Sequence, residues 1–429
     1  MEAVTSAPVS PRKFYGWNNA ALIFFIQFAA SGFVFFAYSV IFPEMVSTMN
    51  WNRGDASIAH SLGFVMLGLS YPVTAWLIGK RGVRFTFTLG LSVMLVGLLM
   101  VTFLVSEVWH WTMVWGLVMG VSFGLTGPIC GHTLIINWFN IRRATVLGII
   151  VTGSAVGGFV AQPLIARVMA HFGSWQSGWM TSMIALVGAL VIAQFLINKP
   201  EDIAQHPDGI DPRSQQGLDS RNAKPRTYRS AQDWTLRQVF KTRSIFLMML
   251  IAVTYLAVGT FLLTHGALHL SDIGISSLDT ATLVGIFIFG SGAGRIPAGM
   301  LGDRIELRWL IAAIMGMMLI GFVTFGASTS FPMLAISGFI TGCCYGGKFA
   351  LAPAMISNYF GEKSFPMINS VYAPLLLPFV AMAPAGAGYL FEAYGNYDLA
   401  FLIGSVLIGL STLAAAALKP PVFKPDPAG

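Results

Sequence analysis

The sequence predicts an all-α membrane protein in which twelve transmembrane helices form two parallel repeats of six. Three observations lead to this prediction. The chain of 429 residues is 55% hydrophobic and only 10% charged. It contains apolar windows of about 20 residues, the length at which a helix crosses roughly 30 Å of hydrocarbon. Its second half also repeats features of its first half, which indicates two copies of one unit.

The apolar windows fall into two sets of six, numbered here as helices 1 to 12. They lie at approximately 17–42, 57–79, 85–105, 111–137, 144–170 and 176–197, and then at 243–270, 279–301, 309–328, 331–357, 365–391 and 397–418. The stretch between the sets is rich in Pro, Asp, Arg, Ser and Gln, so we expect a solvated linker there. The predicted organisation is a tail at 1–16, a six-helix bundle at 17–197, the linker at 198–242, a second bundle at 243–418 and a tail at 419–429.

The internal repeat is visible in a loop and in a row of glycines. Residues 79–84 after helix 2 align with residues 303–308 after helix 8 at an offset of 224, and the glycines at 116, 120 and 124 align with those at 338, 342 and 346 at an offset of 222. Both copies have the same predicted orientation, so the halves are related by an axis along the membrane normal, and a substrate site is expected between them near mid-depth. Glycines four residues apart also let helices pack closely, which is the simpler role for most of them.

Positive charge indicates the orientation. Of the 25 Lys and Arg residues, all but Arg53, Arg167, Arg295 and Lys348 fall in tails, linker or loops on one side. The positive-inside rule therefore places both termini and the linker in the cytoplasm, for a multi-pass protein of the plasma (inner) membrane. The net charge of +7 follows from this bias, so no nucleic-acid partner is expected. No cleavable signal peptide is expected before helix 1, and the cysteines lie inside spans, so no disulfide is expected.

Two cations inside apolar spans are the main candidates for binding. A charged side chain at mid-membrane costs about 2.5 to 3.5 kcal/mol and normally faces a bundle interior or a water-filled cavity. Arg295 in helix 8 and Lys348 in helix 10 both fall roughly 6 to 8 Å from mid-depth, towards the cytoplasm, so they share a layer. The Asp and Glu residues all lie in loops, tails or helix ends. A substrate anion therefore explains the pair better than a structural salt bridge, and the alternative is that either side chain snorkels towards the cytoplasm.

The loop after helix 8 carries the sequence Gly299-x-Leu301-Gly302-Asp303-Arg304-x-x-x-Arg308. It resembles a loop motif of the major facilitator superfamily, in which acidic and basic residues form a charge network at the cytoplasmic gate. The resemblance covers essentially the whole chain and implies the major facilitator fold. In the first copy, Lys80 and Arg84 match the motif, but Gly79 stands where the motif normally has Asp.

Four further segments point to one branch of that superfamily. They are Phe14-Tyr15-Gly16-Trp17, Phe42-Pro43, Trp51-Asn52-Arg53 and Trp138-Phe139-x-x-Arg142-Arg143. All are similar to bacterial members of the monocarboxylate-porter-like and oxalate:formate-antiporter-like branch. The resemblance implies transport of organic anions, with Arg295 contacting the substrate carboxylate. Oxalate-type members also have a lysine in helix 11, whereas residues 369–391 contain none and the lysine is Lys348 in helix 10.

Other polar residues in the spans are weaker candidates. Those expected to line the cavity are Tyr38, Tyr255, Tyr345, Asn369 and Tyr372, although each is equally suited to hydrogen bonding between helices. His132 and His265 are candidates for proton coupling because imidazole titrates near neutral pH, and the alternative is a packing role. No metal-ligand cluster or pairing of a nucleophile with a base stands out, so no metal, cofactor or enzymatic activity is expected.

The predicted function is therefore secondary active transport of small mono- or dicarboxylates by alternating access. Because no core Asp or Glu is available to carry a proton, we expect anion exchange, or symport with the proton on the substrate carboxylate or on a histidine such as His132. A polyspecific exporter and a transporter-like sensor that binds without translocating are the alternatives. The expected partners are the anion and the lipid bilayer, with the protein functional as a monomer.

Overall fold

Helices form the whole framework of the chain. The computed structural model describes residues 13–51, 53–211, 214 and 227–422, and no β-strand is present within these ranges. The predicted tails and the middle of the predicted linker lie largely outside them, as does Asn52 of the Trp51-Asn52-Arg53 segment. Eleven described segments are long and apolar enough to span a membrane. One of them, Ile58–Phe103, holds two spans, because Gly82 has φ 83° and ψ 170° and interrupts the helix. The predicted fold class of twelve spanning helices is confirmed.

The spanning helices are labelled α1 to α12 in chain order. The first half comprises α1 (Gly16–Thr48), α2 (53–81), α3 (83–103), α4 (Val108–Trp138), α5 (Arg143–Phe172) and α6 (Trp175–Ala193). The second half comprises α7 (Arg243–Asp272), α8 (Ser277–Gly302), α9 (Leu307–Ala327), α10 (Phe331–Phe360), α11 (Phe365–Tyr394) and α12 (Asp398–Ala417). A π-helical stretch, Phe28–Phe36, lies inside α1, and α4 is interrupted at Gly127.

Equivalent glycines pack equivalent helix pairs in the two halves. A β-carbon added at Gly120 of α4 would lie 2.8 Å from the Gly63 carbonyl oxygen of α2, and one added at Gly342 of α10 would lie 2.2 Å from the Phe287 carbonyl oxygen of α8. Positions 63 and 287 differ by 224, the offset of the sequence repeat. The glycines thus allow backbone-to-backbone packing of α2 with α4 and of α8 with α10, which is the packing role considered from the sequence.

The close contact between the backbones of α8 and α10 predicts that an added methyl group lowers the stability of the protein. A β-carbon at Gly346 would lie 1.8 Å from the Ser291 carbonyl oxygen, so Gly346→Ala must push α8 and α10 apart. Overpacking of this kind costs about 1 to 3 kcal/mol, and we expect a clearly lower melting temperature in detergent. Gly285→Ala in α8 is the matched control, because its β-carbon would meet no atom within 4 Å. Equal melting temperatures for the two variants would show that this close packing is not required.

The ends of the linker are packed against the helices. Its short helices are Pro200–Ile203, Pro207–Gly209 and Leu236–Val239. Trp234 is only 5% exposed and its backbone N–H donates to the Phe360 carbonyl at the end of α10. The Asp208 carboxylate accepts hydrogen bonds from the backbone N–H groups of Asn140 and Ile141. Many residues of 199–211 and 227–242 are exposed, as expected for a linker, but Asp208 and Trp234 anchor these parts to the two halves.

The two halves meet mainly at one end of the bundle. We call this end the linker face; it comprises the break at Gly82, the α4–α5, α8–α9 and α10–α11 loops and the described parts of the linker. At this face, a β-carbon at Gly299 of α8 would lie 2.4 Å from the Ala144 carbonyl oxygen of α5. Near the opposite end of α8, a β-carbon at Gly285 would meet no atom within 4 Å. The structure is therefore closed at the linker face.

Candidate functional site

Arg295 is buried between the two halves. Its side chain projects from α8 and the residue is 8% exposed. The Nη1 group donates hydrogen bonds to the Val151 carbonyl and, at 3.3 Å, to the Ser154 hydroxyl, both on α5 of the other half. The guanidinium also lies 5.4 Å from the ring centre of Phe349. Within the described residues Arg295 forms no ion pair, and its Nε has no hydrogen-bond partner. The side chain thus joins the halves through neutral acceptors and keeps one donor free.

Lys348 is buried on α10 next to an aromatic ring. The residue is 3% exposed, and its Nζ lies 5.1 Å from the ring centre of Tyr255 on α7. In the part of the chain that the structure describes, Lys348 makes no ion pair with a carboxylate. The contact is a cation–π interaction, which attracts the ammonium group without neutralising it.

The packing of α8 on α10 sets the relative depth of the two cations. A β-carbon added at Gly294 would lie 2.1 Å from the Cys343 carbonyl oxygen, and one at Gly347 would lie 2.9 Å from the Ala298 β-carbon. Arg295 directly follows the first of these glycines, and Lys348 directly follows the second. The two contacts are four residues apart along each helix, so the cations lie within about one helical turn of each other in depth, and we call this region the Arg295 layer.

Two tyrosines complete this layer. The rings of Tyr255 and Tyr345 have centroids 5.7 Å apart, and both side chains lie close enough to Arg295 to interact with it electrostatically. Gly259 makes room for Tyr345, because a β-carbon there would lie 2.2 Å from its ring. Neither phenolic hydroxyl makes a hydrogen bond among the described residues. The layer thus brings together two cations and two free hydroxyl donors, a set suited to an anion.

The other tyrosines and Asn369 lie outside this group. The Tyr372 hydroxyl donates to the Met248 carbonyl at 3.0 Å and so ties α11 to α7. Tyr38 lies in the first half, where its ring stacks on that of His60 with the ring centroids 4.5 Å apart. His60 was not a candidate from the sequence. Asn369 is near the start of α11, at the linker face. For Tyr372 and Tyr38 the structure favours packing, the alternative considered from the sequence.

The two candidate histidines have different environments. His265 is fully satisfied: its Nε2 lies 2.9 Å from the Pro384 carbonyl oxygen and its Nδ1 lies 3.0 Å from the Tyr397 hydroxyl. These contacts join α7 to α11 and to Tyr397 at the start of α12, which is the packing role considered from the sequence. His132 is 5% exposed, its Nε2 has no partner among the described residues, and its ring lies 6.3 Å from that of Phe365 in the other half.

Asp303 of the gate motif binds backbone amides instead of basic side chains. Its carboxylate accepts hydrogen bonds from the Ala144 N–H at 2.8 Å, the Thr145 N–H at 2.9 Å and the Thr145 hydroxyl at 2.5 Å. These groups form the first turn of α5, where a negative charge also interacts favourably with the helix dipole. Burial raises the pKa of Asp303, and the three hydrogen bonds oppose that rise. Asp303 therefore caps a helix of the opposite half.

The remaining basic residues of the motif have separate partners. Arg308 donates to the Leu418 carbonyl at 3.3 Å, the Lys80 Nζ lies 4.8 Å from the ring centre of Trp76, and the Arg84 backbone N–H donates to the Asn198 side chain. Arg304 is exposed. No ion pair links these residues to one another or to Asp303 within the described ranges. Among the described residues, the motif therefore holds this face through hydrogen bonds from the Asp303 carboxylate to helix amides.

The strongest polar link between the halves was not recognised from the sequence. Arg143 at the start of α5 is 2% exposed and forms an ion pair with Glu362 in the α10–α11 loop. Its guanidinium also donates to the side-chain oxygens of Asn358 and Asn140, at 3.2 and 2.7 Å. Arg229 of the linker donates to the Asn140 carbonyl. The Trp138-to-Arg143 segment contains Arg143, but nothing in the sequence indicated that Glu362 is its partner.

Comparisons with known proteins agree with this architecture. The family model described as Major Facilitator Superfamily matches residues 23–271 and 267–428. Monocarboxylate transporter 12 of Rattus norvegicus is 23% identical over 431 residues, covering 93% of this chain and 86% of that transporter. The membrane sensor protein UhpC of Salmonella typhimurium is 22% identical over 300 residues, covering 69% and 66%. The crystal structure of the E. coli fucose:proton symporter FucP has a TM-score of 0.71 at 11% identity, covering 95% of this chain and 100% of that one.

Proposed function

This chain belongs to the Major Facilitator Superfamily, and we propose that it carries small mono- or dicarboxylates across the membrane by alternating access. The family makes the protein a multi-pass membrane transporter and not an enzyme. The observation that carries the substrate proposal is the pair of buried cations, Arg295 and Lys348, which have no carboxylate partner among the described residues. The similarity to a monocarboxylate transporter supports the same substrate class.

The layer around Arg295 offers the contacts that a carboxylate requires. The guanidinium presents a planar set of donors for the two carboxylate oxygens, and Lys348 adds a mobile positive charge. The hydroxyls of Tyr255 and Tyr345 donate to the same anion. Charge-assisted hydrogen bonds of this kind are roughly twice as strong as those to neutral acceptors. A bound carboxylate therefore competes with the Val151 carbonyl for Arg295 and weakens a link between α5 and α8. This competition couples substrate binding to separation of the halves.

Binding and translocation are tested by separate experiments. A thermal-shift screen of mono- and dicarboxylates on the purified protein identifies the substrate, since a ligand stabilises the fold by mass action. Counterflow of that carboxylate in proteoliposomes then distinguishes a carrier from a sensor, a second candidate that the similarity to UhpC supports. Transient uptake of labelled carboxylate identifies a carrier. Stabilisation of the protein without any counterflow identifies a sensor.

The residues of this layer restrict which group can carry a coupled proton. Among the described residues, no Asp or Glu pairs with Arg295 or Lys348. We therefore place any coupled proton on the substrate carboxylate or on His132, and otherwise the protein exchanges anions. Net uptake of the labelled carboxylate under an imposed pH gradient distinguishes these modes, because the gradient drives proton symport and has no effect on anion exchange. If His132→Ala keeps the full pH dependence, the histidine route is excluded.

The proposed orientation in the membrane can be tested by labelling from outside the cell. We place the linker face in the cytoplasm of a plasma (inner) membrane, because the basic residues of the tails, linker and loops gather there. In a background without the native cysteines, single cysteines at positions 215 and 272 should label from opposite sides of intact cells. Position 272 should react with a membrane-impermeant reagent added outside, and position 215 only after lysis. Labelling of position 215 from outside would reverse the orientation.

A further inference from the structure

A groove opens on the linker face, apart from the Arg295 layer. It has a volume of about 640 Å³, and Trp17 of α1, Ile141 and Arg142 before α5, and Met300 and Arg304 at the end of α8 contribute to its walls. The groove therefore lies where the two halves touch. Arg295 does not line it.

The walls of the groove change from apolar to basic across the end of the membrane spans. Trp17 lies in the first turn of the span Gly16–Thr48 and Met300 in the last turn of the span Thr282–Gly302, whereas Arg142 and Arg304 lie just outside the ends of their spans. Trp17 is 41% exposed, Met300 46% and Ile141 51%. Exposed apolar surface on a spanning helix contacts acyl chains, and basic residues just outside the hydrocarbon lie at the level of the lipid headgroups. The groove thus matches the amphipathic profile of a lipid molecule.

The charge of the groove selects an anion. Arg142 and Arg304 are exposed, and neither side chain makes an ion pair or hydrogen bond within the described ranges. Asp303 is the acid that lines the groove, but both of its carboxylate oxygens accept hydrogen bonds from α5. Two unpaired guanidinium groups therefore face the groove, and guanidinium binds phosphate oxygens in a bidentate manner.

We propose that this groove binds the phosphate of an anionic phospholipid, with the acyl chains against Trp17 and Met300. Arg142 belongs to the first half and Arg304 to the second, so the lipid bridges the halves. The two arginines come together only while the ends of α5 and α8 touch, as they do through Asp303. A lipid that binds both arginines stabilises the state closed at the linker face, because a ligand favours the conformation that it binds more tightly. This proposal rests neither on the identity of the transported substrate nor on the orientation in the cell.

The first test measures lipid binding to the purified full chain. Native mass spectrometry in detergent should show retention of phosphatidylglycerol in preference to phosphatidylcholine. Arg142→Gln and Arg304→Gln should each weaken phosphatidylglycerol binding about fivefold, the loss expected for one basic residue at a lipid surface. Arg81→Gln, which removes an exposed arginine elsewhere on the linker face, should leave binding unchanged. All of these arginines are exposed, so the variants should fold, and thermal unfolding in phosphatidylcholine checks that they do.

Two results would overturn the lipid assignment. One is equal binding of phosphatidylglycerol by the wild type and the Arg142→Gln/Arg304→Gln double variant. The other is displacement of phosphatidylglycerol by soluble glycerol phosphate at comparable concentration, which would identify a site for free phosphate compounds.

The second test measures the conformational effect. A reporter cysteine at position 132, which is buried against Phe365 of the other half, becomes reactive only when the linker face opens. In nanodiscs containing phosphatidylglycerol its alkylation should be slower than in phosphatidylcholine, and the double variant should remove the difference. Identical alkylation rates of the wild-type background in the two lipids would exclude the coupling.

Discussion

Arg295→Ala and Lys348→Ala should each weaken carboxylate binding, by roughly tenfold to a hundredfold for Arg295. The magnitude follows from about 1.5 to 3 kcal/mol for a hydrogen bond to a charged group. Because both side chains contact one anion, the double variant should lose less binding free energy than the sum of the single variants. The measurement is the affinity for the carboxylate found by thermal shift, with all proteins at one pH.

Conservative variants separate the roles of the two cations. Arg295→Lys keeps the charge but loses the planar fork and should remain clearly impaired, whereas Lys348→Arg should be milder. Arg167→Ala is a matched control, since it removes an exposed arginine from a spanning helix. If Lys348→Ala binds the carboxylate with wild-type affinity, Lys348 does not contact the substrate and only extends its charge towards the cytoplasm. If Arg295→Ala binds with wild-type affinity, the proposal of an organic-anion carrier loses its basis.

Arg143→Gln should shift the protein towards the state open at the linker face. The substitution removes the ion pair with Glu362 and the charged donor to Asn358, which together link α5 to the end of α10. Loss of charged hydrogen bonds worth about 1.5 to 3 kcal/mol corresponds to roughly a tenfold to hundredfold rise in the open population. Alkylation of the reporter cysteine at position 132 in detergent measures this population.

The control for this shift is Arg81→Gln, which removes an exposed positive charge from the same face without touching the other half. It should leave the alkylation rate unchanged. Glu362→Gln should reproduce part of the Arg143→Gln effect, and the two substitutions should be non-additive because they remove one interaction. Equal reactivity of the Arg143→Gln and wild-type backgrounds would show that other contacts keep this face closed.

The sequence was sufficient to predict the fold, because the two features that define it are local. Apolar windows of spanning length mark the helices, and the offset of 224 found between residues 79–84 and 303–308 also separates positions 63 and 287, which contact equivalent glycines of α4 and α10. The linker was harder to predict. Its composition is polar, but Asp208 and Trp234 are held by partners far away in the chain.

Only part of the candidate site could be predicted from the sequence. Arg295 and Lys348 stand out because a cation within an apolar span has a high desolvation cost. The partners of Arg295 do not stand out: Val151 contributes a backbone carbonyl, which is the same group in every residue. The ion pair between Arg143 and Glu362 joins residues 219 positions apart, and each is one of many charged loop residues. Such pairings depend on how the halves dock, which composition and periodicity do not specify.

Counterflow with the Arg295→Ala variant shows whether carboxylate transport depends on Arg295. Proteoliposomes loaded with the stabilising carboxylate should take up the labelled compound transiently when they contain the wild-type protein. They should take up no more than empty liposomes when they contain Arg295→Ala, provided that the variant unfolds at a temperature close to that of the wild type. Wild-type counterflow by Arg295→Ala would contradict the account, because the carboxylate would then cross without the residue on which its recognition is based.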